Sequence, residues 1–470
     1  MKKIYLTLGL AAGLLFSSCS DFLDRDPSTA LPAGDAITSV FDLKNAVNGV
    51  SYILSQDRMT YSAEFAIYAD LLSGDFRAPY DMGQSTPILL YNMTKHDALP
   101  DYAYYYFYKA LANVNQALAN LDKVAYTEKE KATFDDLHGE LLAWRGLLHF
   151  DLARMFCHIP TTVANVEEAG SGLVLSTEVF PNDYKGERAT LKATYDQIIK
   201  DFTDALPLLS KDKNLGYLNY WAVLGLRARA NLYYGKNAEA LADAKAVIAE
   251  SPYTLYTMAE YANVWSQEGT SESMFEMLIT DTYNAQRNSC GYYTDASGYP
   301  ECAFSESSAL YQYLSTHPED VRSSLIKDES SSKDYGSGAG YYPAKYPGRN
   351  GAIYVNNPKI IRLSEVYLIA AEASFHTEGG AAAAGYINKL RTNRIKDYAD
   401  VASVTLDNIL FEYEVELFAE NQIAFAYWRN KKGVTSAEGK EIAYNDYRTI
   451  MPIPQREIDL NSQLKQNAEY

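Results

Sequence analysis

The sequence predicts a mostly α-helical fold, a scaffold of paired helices that carries large loop-rich insertions. Three observations predict it. Apolar residues recur at helical spacing in nine separate stretches. One adjacent pair of those stretches carries the signature of a packed helical hairpin. From Tyr253 to Pro358 the chain turns to Gly, Ser, Tyr, Asn and Pro with no period, which reads as functional loop or disordered segment.

The chain opens with Lys2 and Lys3, an apolar run from Ile4 to Phe16, then Ser17, Ser18 and Cys19. A basic start, a short apolar run and small residues before a cysteine make a lipoprotein signal, in which the cysteine is acylated and becomes the new N-terminus. The run is too short to span a bilayer, which takes about 20 apolar residues. Residues 1–18 are therefore expected as a signal peptide, Cys19 as the lipidated residue and 19–39 as a tether. Residues 20–36 hold two prolines and no period.

The helical stretches follow in order. Val40 to Leu54 is the first. Leu99 to Val124 continues with Tyr104, Phe107, Leu111, Val114, Leu118 and Leu121 on one face. Leu137 to Phe156 repeats the pattern through Leu141, Trp144, Leu148 and Leu152. Further runs cover Tyr195 to Leu209, Leu218 to Tyr234, Ala238 to Glu250, Ile361 to Phe375 and Ala381 to Arg394, and a last long one covers Leu406 to Arg429.

Trp221, Leu224, Gly225 and Ala228 match the first helix of a tetratricopeptide repeat, W-x2-L-G-x2-[Y/A]. Ala240, Ala244, Val247 and Pro252 fall at second-helix spacings, with a turn read as about three residues longer than consensus. Small residues at 225, 228, 240 and 244 let neighbouring helices approach closely. Such hairpins stack into a curved scaffold. The fold class is thus mostly α, a tetratricopeptide-like helical-hairpin scaffold with loop-rich regions near 73–93 and 253–358.

Charge narrows the partners. Formal net charge is −18, and loss of residues 1–18 would remove two lysines and no acid. A body this acidic repels phosphate backbones, so nucleic acid is excluded as a partner. Cys157 lies in an apolar segment and reads as packing. Cys290 and Cys302, twelve apart in a Gly/Tyr-rich region, leave pairing open. Tyrosine is the outlier, 40 of 470 residues. Its rigid apolar face and hydroxyl edge suit helix packing, sugars and peptides alike, and packing has to account for most of them.

Five blocks in order resemble the SusD/RagB family of outer-membrane lipoproteins of Bacteroidetes. The first is Cys19-Ser20-Asp21-Phe22-Leu23-Asp24 with Pro27. Glu140, Arg145, Phe150 to Leu152 and Pro160 follow. The hairpin above leads to Ile361 through Ala373, then Asn388, Leu390, Arg391 and Arg394. The end is Pro452-Ile453-Pro454 with Glu457, Asn461, Gln466-Asn467 and Tyr470. Glu412-Tyr413 departs from the family's Glu-Arg, Gln422 replaces an Arg, and Ser462 stands where Pro is common. The resemblance implies one SusD-like domain over 40–470. It also implies a surface lipoprotein that binds oligosaccharide, or peptide in some branches, and delivers it to a SusC-like TonB-dependent transporter. It implies no enzyme and no cofactor.

Candidate chemistry is sparse. Glu365 and Glu372, with Arg362 nearby, and Glu412, Glu414, Glu416 and Glu420 read as solvated or ion-paired helix charges rather than an acid/base pair. The six histidines show no ligand spacing for a metal. Gly336 to Gly340 mimics a nucleophile elbow without its flanking strand and helix. Loop side chains are the better ligand candidates: Phe76, Arg77, Tyr80 and Asp81 in the first region, and Trp265, Tyr283, Asn284, Arg287, Tyr292, Tyr293 and Tyr299 in the second. Aromatic faces stack on the C–H side of a pyranose while Arg, Asn and Asp bind its hydroxyls. A surface hydrolase is the less favoured alternative, because carboxylate spacing is set in space and not in sequence.

Overall fold

A computed structural model describes residues 36–181, 183–333 and 338–470. Cys19, the signal peptide, most of the tether, and Gly336 and Ser337 of the elbow-like run lie outside the described residues. The principal helices are α1 (Val40–Ile53), α2 (Ala98–Leu118), α3 (Lys131–Phe156), α4 (Leu191–Ala205), α5 (Tyr220–Tyr234), α6 (Asn237–Glu250), α7 (Ala309–Thr316), α8 (Leu363–Glu378), α9 (Gly380–Thr392), α10 (Leu406–Leu417) and α11 (Ile423–Arg429).

Local chemistry starts the helices where the sequence permits. Ser39 and Asp42 form a reciprocal capping box on α1, and Thr405 with Asn408 does the same for α10. Thr190, Asn219 and Ser308 cap α4, α5 and α7 through their side-chain oxygens. The apolar stripe of α1, Val40, Leu43, Val47 and Val50, packs inward against α2 and α3. Neighbours then stack in sequence through α3, α4, α5 and α6, and α6 packs on α8, which in turn carries α9 and α10. Every residue of α8 from Leu363 to Ser374 is buried, so this helix is the axis of the C-terminal half.

The repeat hairpin forms as α5 and α6, with a correction. The turn is only Gly235 and Lys236, between the end of α5 at Tyr234 and the start of α6 at Asn237. Gly225 earns its place by close approach: a Cβ there would lie 2.8 Å from Ile361 Cδ1.

Short antiparallel ladders tie the loops down. β1 (Phe76–Arg77) pairs with β3 (Ala303–Phe304), which joins the two loop regions. β2 (Ser273–Glu276) pairs with β6 (Lys359–Arg362), β4 (Ile326–Asp328) with β5 (Tyr341–Pro343), and β7 (Val434–Thr435) with β8 (Glu441–Ile442). Ile361 and Arg362 are therefore strand, not the first turn of a helix. The stretch read as helix to Val124 ends at Leu118, before a 3-10 turn at Leu121–Lys123.

The stretch 406–429 is two helices, not one. Ala419 and Asn421 adopt φ of 56° and 61°, and their N–H groups donate to the buried Asp70 carboxylate at 2.9 and 2.6 Å. Tyr346 donates to the Ala419 carbonyl and Lys345 to that of Glu416, at 2.6 and 2.9 Å. Tertiary donors and acceptors thus replace the helical ladder at the break.

Apart from Glu414, which accepts from the Tyr427 hydroxyl, the helix carboxylates are ion-paired, and they are buried rather than solvated. Glu416 meets Arg362 and Arg394 at 2.6 and 3.0 Å and Arg322 at 3.1 Å. Glu420 pairs with Arg362 and Lys345, Glu365 with Arg229, and Glu372 with Arg429. Burial alone would raise the Glu416 carboxyl, but Arg394, Arg362 and Arg322 hold it far below the usual range. Cys290 and Cys302 are free, buried thiols.

Candidate functional site

A surface cavity of about 610 Å³ is a cleft lined by three tyrosines. Three segments build it. The end of α1 supplies Asn48, Ser51, Tyr52 and Ser55; the segment before α5 supplies Gly216 and Tyr217; the segment after β2 supplies Leu278, Thr280 and Tyr283. Tyr52 and Tyr283 are 50% and 53% exposed and meet edge to face, ring centroids 5.5 Å apart. Those are large apolar surfaces left in water, and helix packing does not explain them.

Each wall is held from behind. Tyr217 donates its hydroxyl to Asn48 Oδ1 at 2.8 Å, and burial, with Glu140 nearby, raises its pKa, so it stays a neutral donor at physiological pH. Gly216 sits at φ +76° with Leu278 Cδ1 only 2.3 Å from where a Cβ would lie. Only glycine gives both that backbone and that space. The turn carrying Tyr283 is closed by the Thr280 N–H on the Tyr283 carbonyl and the Tyr283 N–H on Thr280 Oγ1, both at 3.0 Å. Asn284 donates to the Thr280 and Asp281 carbonyls at 2.9 and 3.0 Å.

Of the side chains singled out in the sequence, the structure places Tyr283 in this cleft. Asn284 staples the turn beneath it. Phe76, Trp265 and Tyr293 are buried: Phe76 stacks on Phe304, Trp265 lies beside Lys345 and Arg362, and Tyr293 donates to Glu64 at 2.6 Å. A ring with no free face offers cargo nothing to stack on, so these three are packing residues in this fold. Arg77 pairs with Glu306 at 3.0 Å, and the Asp81 carboxylate accepts from the Gly83 N–H and Thr86 hydroxyl. Tyr80 and Arg287 are exposed, and Tyr292 is half-buried against Tyr299. The loop regions do come together, with Glu301 accepting the Met82 and Gln84 N–H groups at 2.8 and 3.0 Å.

Sequence reasoning missed Tyr52 and Tyr217. Tyr52 carried a signal, since it falls off the buried Leu43–Val47–Val50 stripe of α1.

A second cavity of about 390 Å³ is polar, with Asp75, Glu414 and Tyr427 among serine hydroxyls. Burial pushes Asp75 up to about 6, and burial with the neighbouring Asp75 charge pushes Glu414 up. Among the described residues no three His, Cys, Asp or Glu side chains group as a metal site. No helix among them is long and apolar enough to cross a membrane.

Fold and cleft together define a tetratricopeptide-type helical scaffold with a tyrosine-lined surface cleft built from one helix end and two connectors. A family model described as "Starch-binding associating with outer membrane" matches residues 21–232, and the SusD family model matches 261–470. The chain belongs to the SusD/RagB family. It is 24% identical to SusD-like protein P2 of Formosa agariphila, over 99% of both chains. A crystal structure of a SusD superfamily protein from Bacteroides thetaiotaomicron is 29% identical, covers 92% of this chain and 100% of its own, and superposes with a TM-score of 0.84. Surface glycan-binding protein A from the same species, in complex with laminarihexaose, shares the fold at 18% identity, with coverages of 92% and 100% and a TM-score of 0.70.

Proposed function

We propose that this protein is a lipid-anchored outer-membrane lipoprotein that binds an oligosaccharide in the Tyr52–Tyr217–Tyr283 cleft and hands it to a TonB-dependent transporter. The observation that carries the reading is the cleft: three tyrosines converging with Leu278, and with Asn48, Ser51, Ser55 and Thr280 at the edges. Aromatic faces take the C–H surface of a pyranose, and the surrounding hydroxyl and amide groups take its hydroxyls. The family's description as starch-binding and the laminarihexaose complex of a fold relative support a sugar over a peptide. An open site of this kind gives dissociation constants of roughly millimolar to micromolar, and tethering beside a transporter compensates through effective concentration.

Calorimetry against panels of neutral glycans and of peptides tests the reading. Heat with a glycan, lost in Tyr52→Ala/Tyr283→Ala, is expected; heat with peptides alone moves the protein to the peptide-import branch. Release of reducing ends by the purified protein would make it a hydrolase, with the Asp75–Glu414 cavity the place to look. A pull-down of the transporter by the same double variant separates docking from capture. Cys19→Ser should abolish lipid labelling and membrane retention.

A further inference from the structure

We infer that the cleft continues onto a second aromatic platform on α2, and that the two together hold one neutral, linear oligosaccharide lying across the 52–58 turn. This rests on the reading of the cleft as a sugar site. Tyr102 and Tyr106 stand one turn apart on the outer face of α2, their rings 13° from parallel with centroids 6.3 Å apart. Tyr105, 42% exposed, meets Tyr106 edge on at 5.1 Å. The inner face of the same helix, Ala103, Tyr104, Phe107, Ala110 and Leu111, already supplies its packing. Tyr102 is half-buried with one side against the core, but core formation leaves Tyr105 and Tyr106 unexplained.

Platform and cleft meet at one short segment. The Tyr106 hydroxyl donates to Asp57 Oδ2 at 2.5 Å. Asp57 follows Tyr52 by five residues, so their α-carbons are at most about 19 Å apart at about 3.8 Å per step. Between them Ser55 lines the cleft and accepts from Gln56 Nε2 at 3.0 Å. Arg58 closes the other side by donating to Glu64 and to the Gln84 carbonyl, at 2.6 and 2.8 Å. That contact brings in the 80–84 loop, whose Tyr80 and Met82 are exposed.

The occupant follows from charge and shape. Asp57 and Arg58 are each engaged within the protein, and the chain's net charge of −18 opposes a polyanion. Two parallel rings one helical turn apart suit successive units of an extended chain. A compact end group would fill the cleft alone.

Titration of neutral gluco-, manno- and xylo-oligosaccharides from disaccharide to octasaccharide tests this. In the wild type, affinity should rise with length by about tenfold, the worth of two stacked rings. Tyr102→Ala/Tyr106→Ala should flatten that rise and leave the affinity for the shortest binder unchanged, which also shows that the variant is folded. Tyr106→Phe, which keeps the ring and loses the bond to Asp57, should keep the rise. Length-independent affinity in the wild type, or an undiminished rise in the double alanine variant, overturns the platform and leaves the cleft standing. If no ladder binds at all, the sugar reading and the platform fall together.

Discussion

Glu416 is surrounded by three guanidiniums and is wholly shielded from water. Removing one side of such a buried set leaves uncompensated charge in low dielectric, which costs about 3–5 kcal/mol. Glu416→Gln should therefore lower the unfolding free energy by about that amount in a denaturant titration. Asp75 behaves oppositely with pH. Its folded pKa of about 6 lies above the roughly 4 of an unfolded chain, so the folded state holds a proton that the unfolded state releases. This group's contribution thus falls as pH rises from about 4 to 6 and stays low above. The melting temperature of Asp75→Asn should match the wild type near pH 4 and exceed it at pH 7; an equal gap at both values would contradict the assignment. The sequence placed Glu414 and Glu416 on a helix and read them as ion-paired or solvated. Which arginines meet Glu416, and that Glu414 meets none, depends on contacts 22 to 94 positions apart in the chain, which spacing does not encode.

At the scale of elements, periodicity located every principal helix of the stack except the eight-residue α7, because most bury a stripe that repeats every three to four residues, while α8 is buried on all sides from Leu363 to Ser374. It failed where distant groups substitute for helical hydrogen bonds. Nothing within 406–429 announces that Asp70, some 350 positions away, binds the Ala419 and Asn421 N–H groups. Asp70→Ala would leave two buried donors without acceptors, at about 1–3 kcal/mol each. The variant should melt lower while far-UV circular dichroism at low temperature stays near wild type; an unchanged melting temperature would mean that the break needs no such acceptor. Tyr52 could have been found by its position off the α1 stripe. Tyr217 could not, since it sits in a non-periodic connector and is placed by its bond to Asn48.

For the whole molecule, the two irregular regions are one surface feature, joined by β1 with β3 and by Glu301. Their character as large irregular regions was legible in composition. Which rings face out was not, because a buried Tyr293 and an exposed Tyr283 have the same chemistry and differ only in what packs behind them. The helical stack holds Tyr52, Tyr217 and Tyr283 around an open cleft, and the proposed function is capture there without turnover. A crystal structure of the protein soaked with the tightest-binding oligosaccharide tests it most directly. An intact saccharide stacked on Tyr52 and Tyr283 is expected. Density confined to the Asp75–Glu414 cavity, or a shortened product in either place, would contradict it.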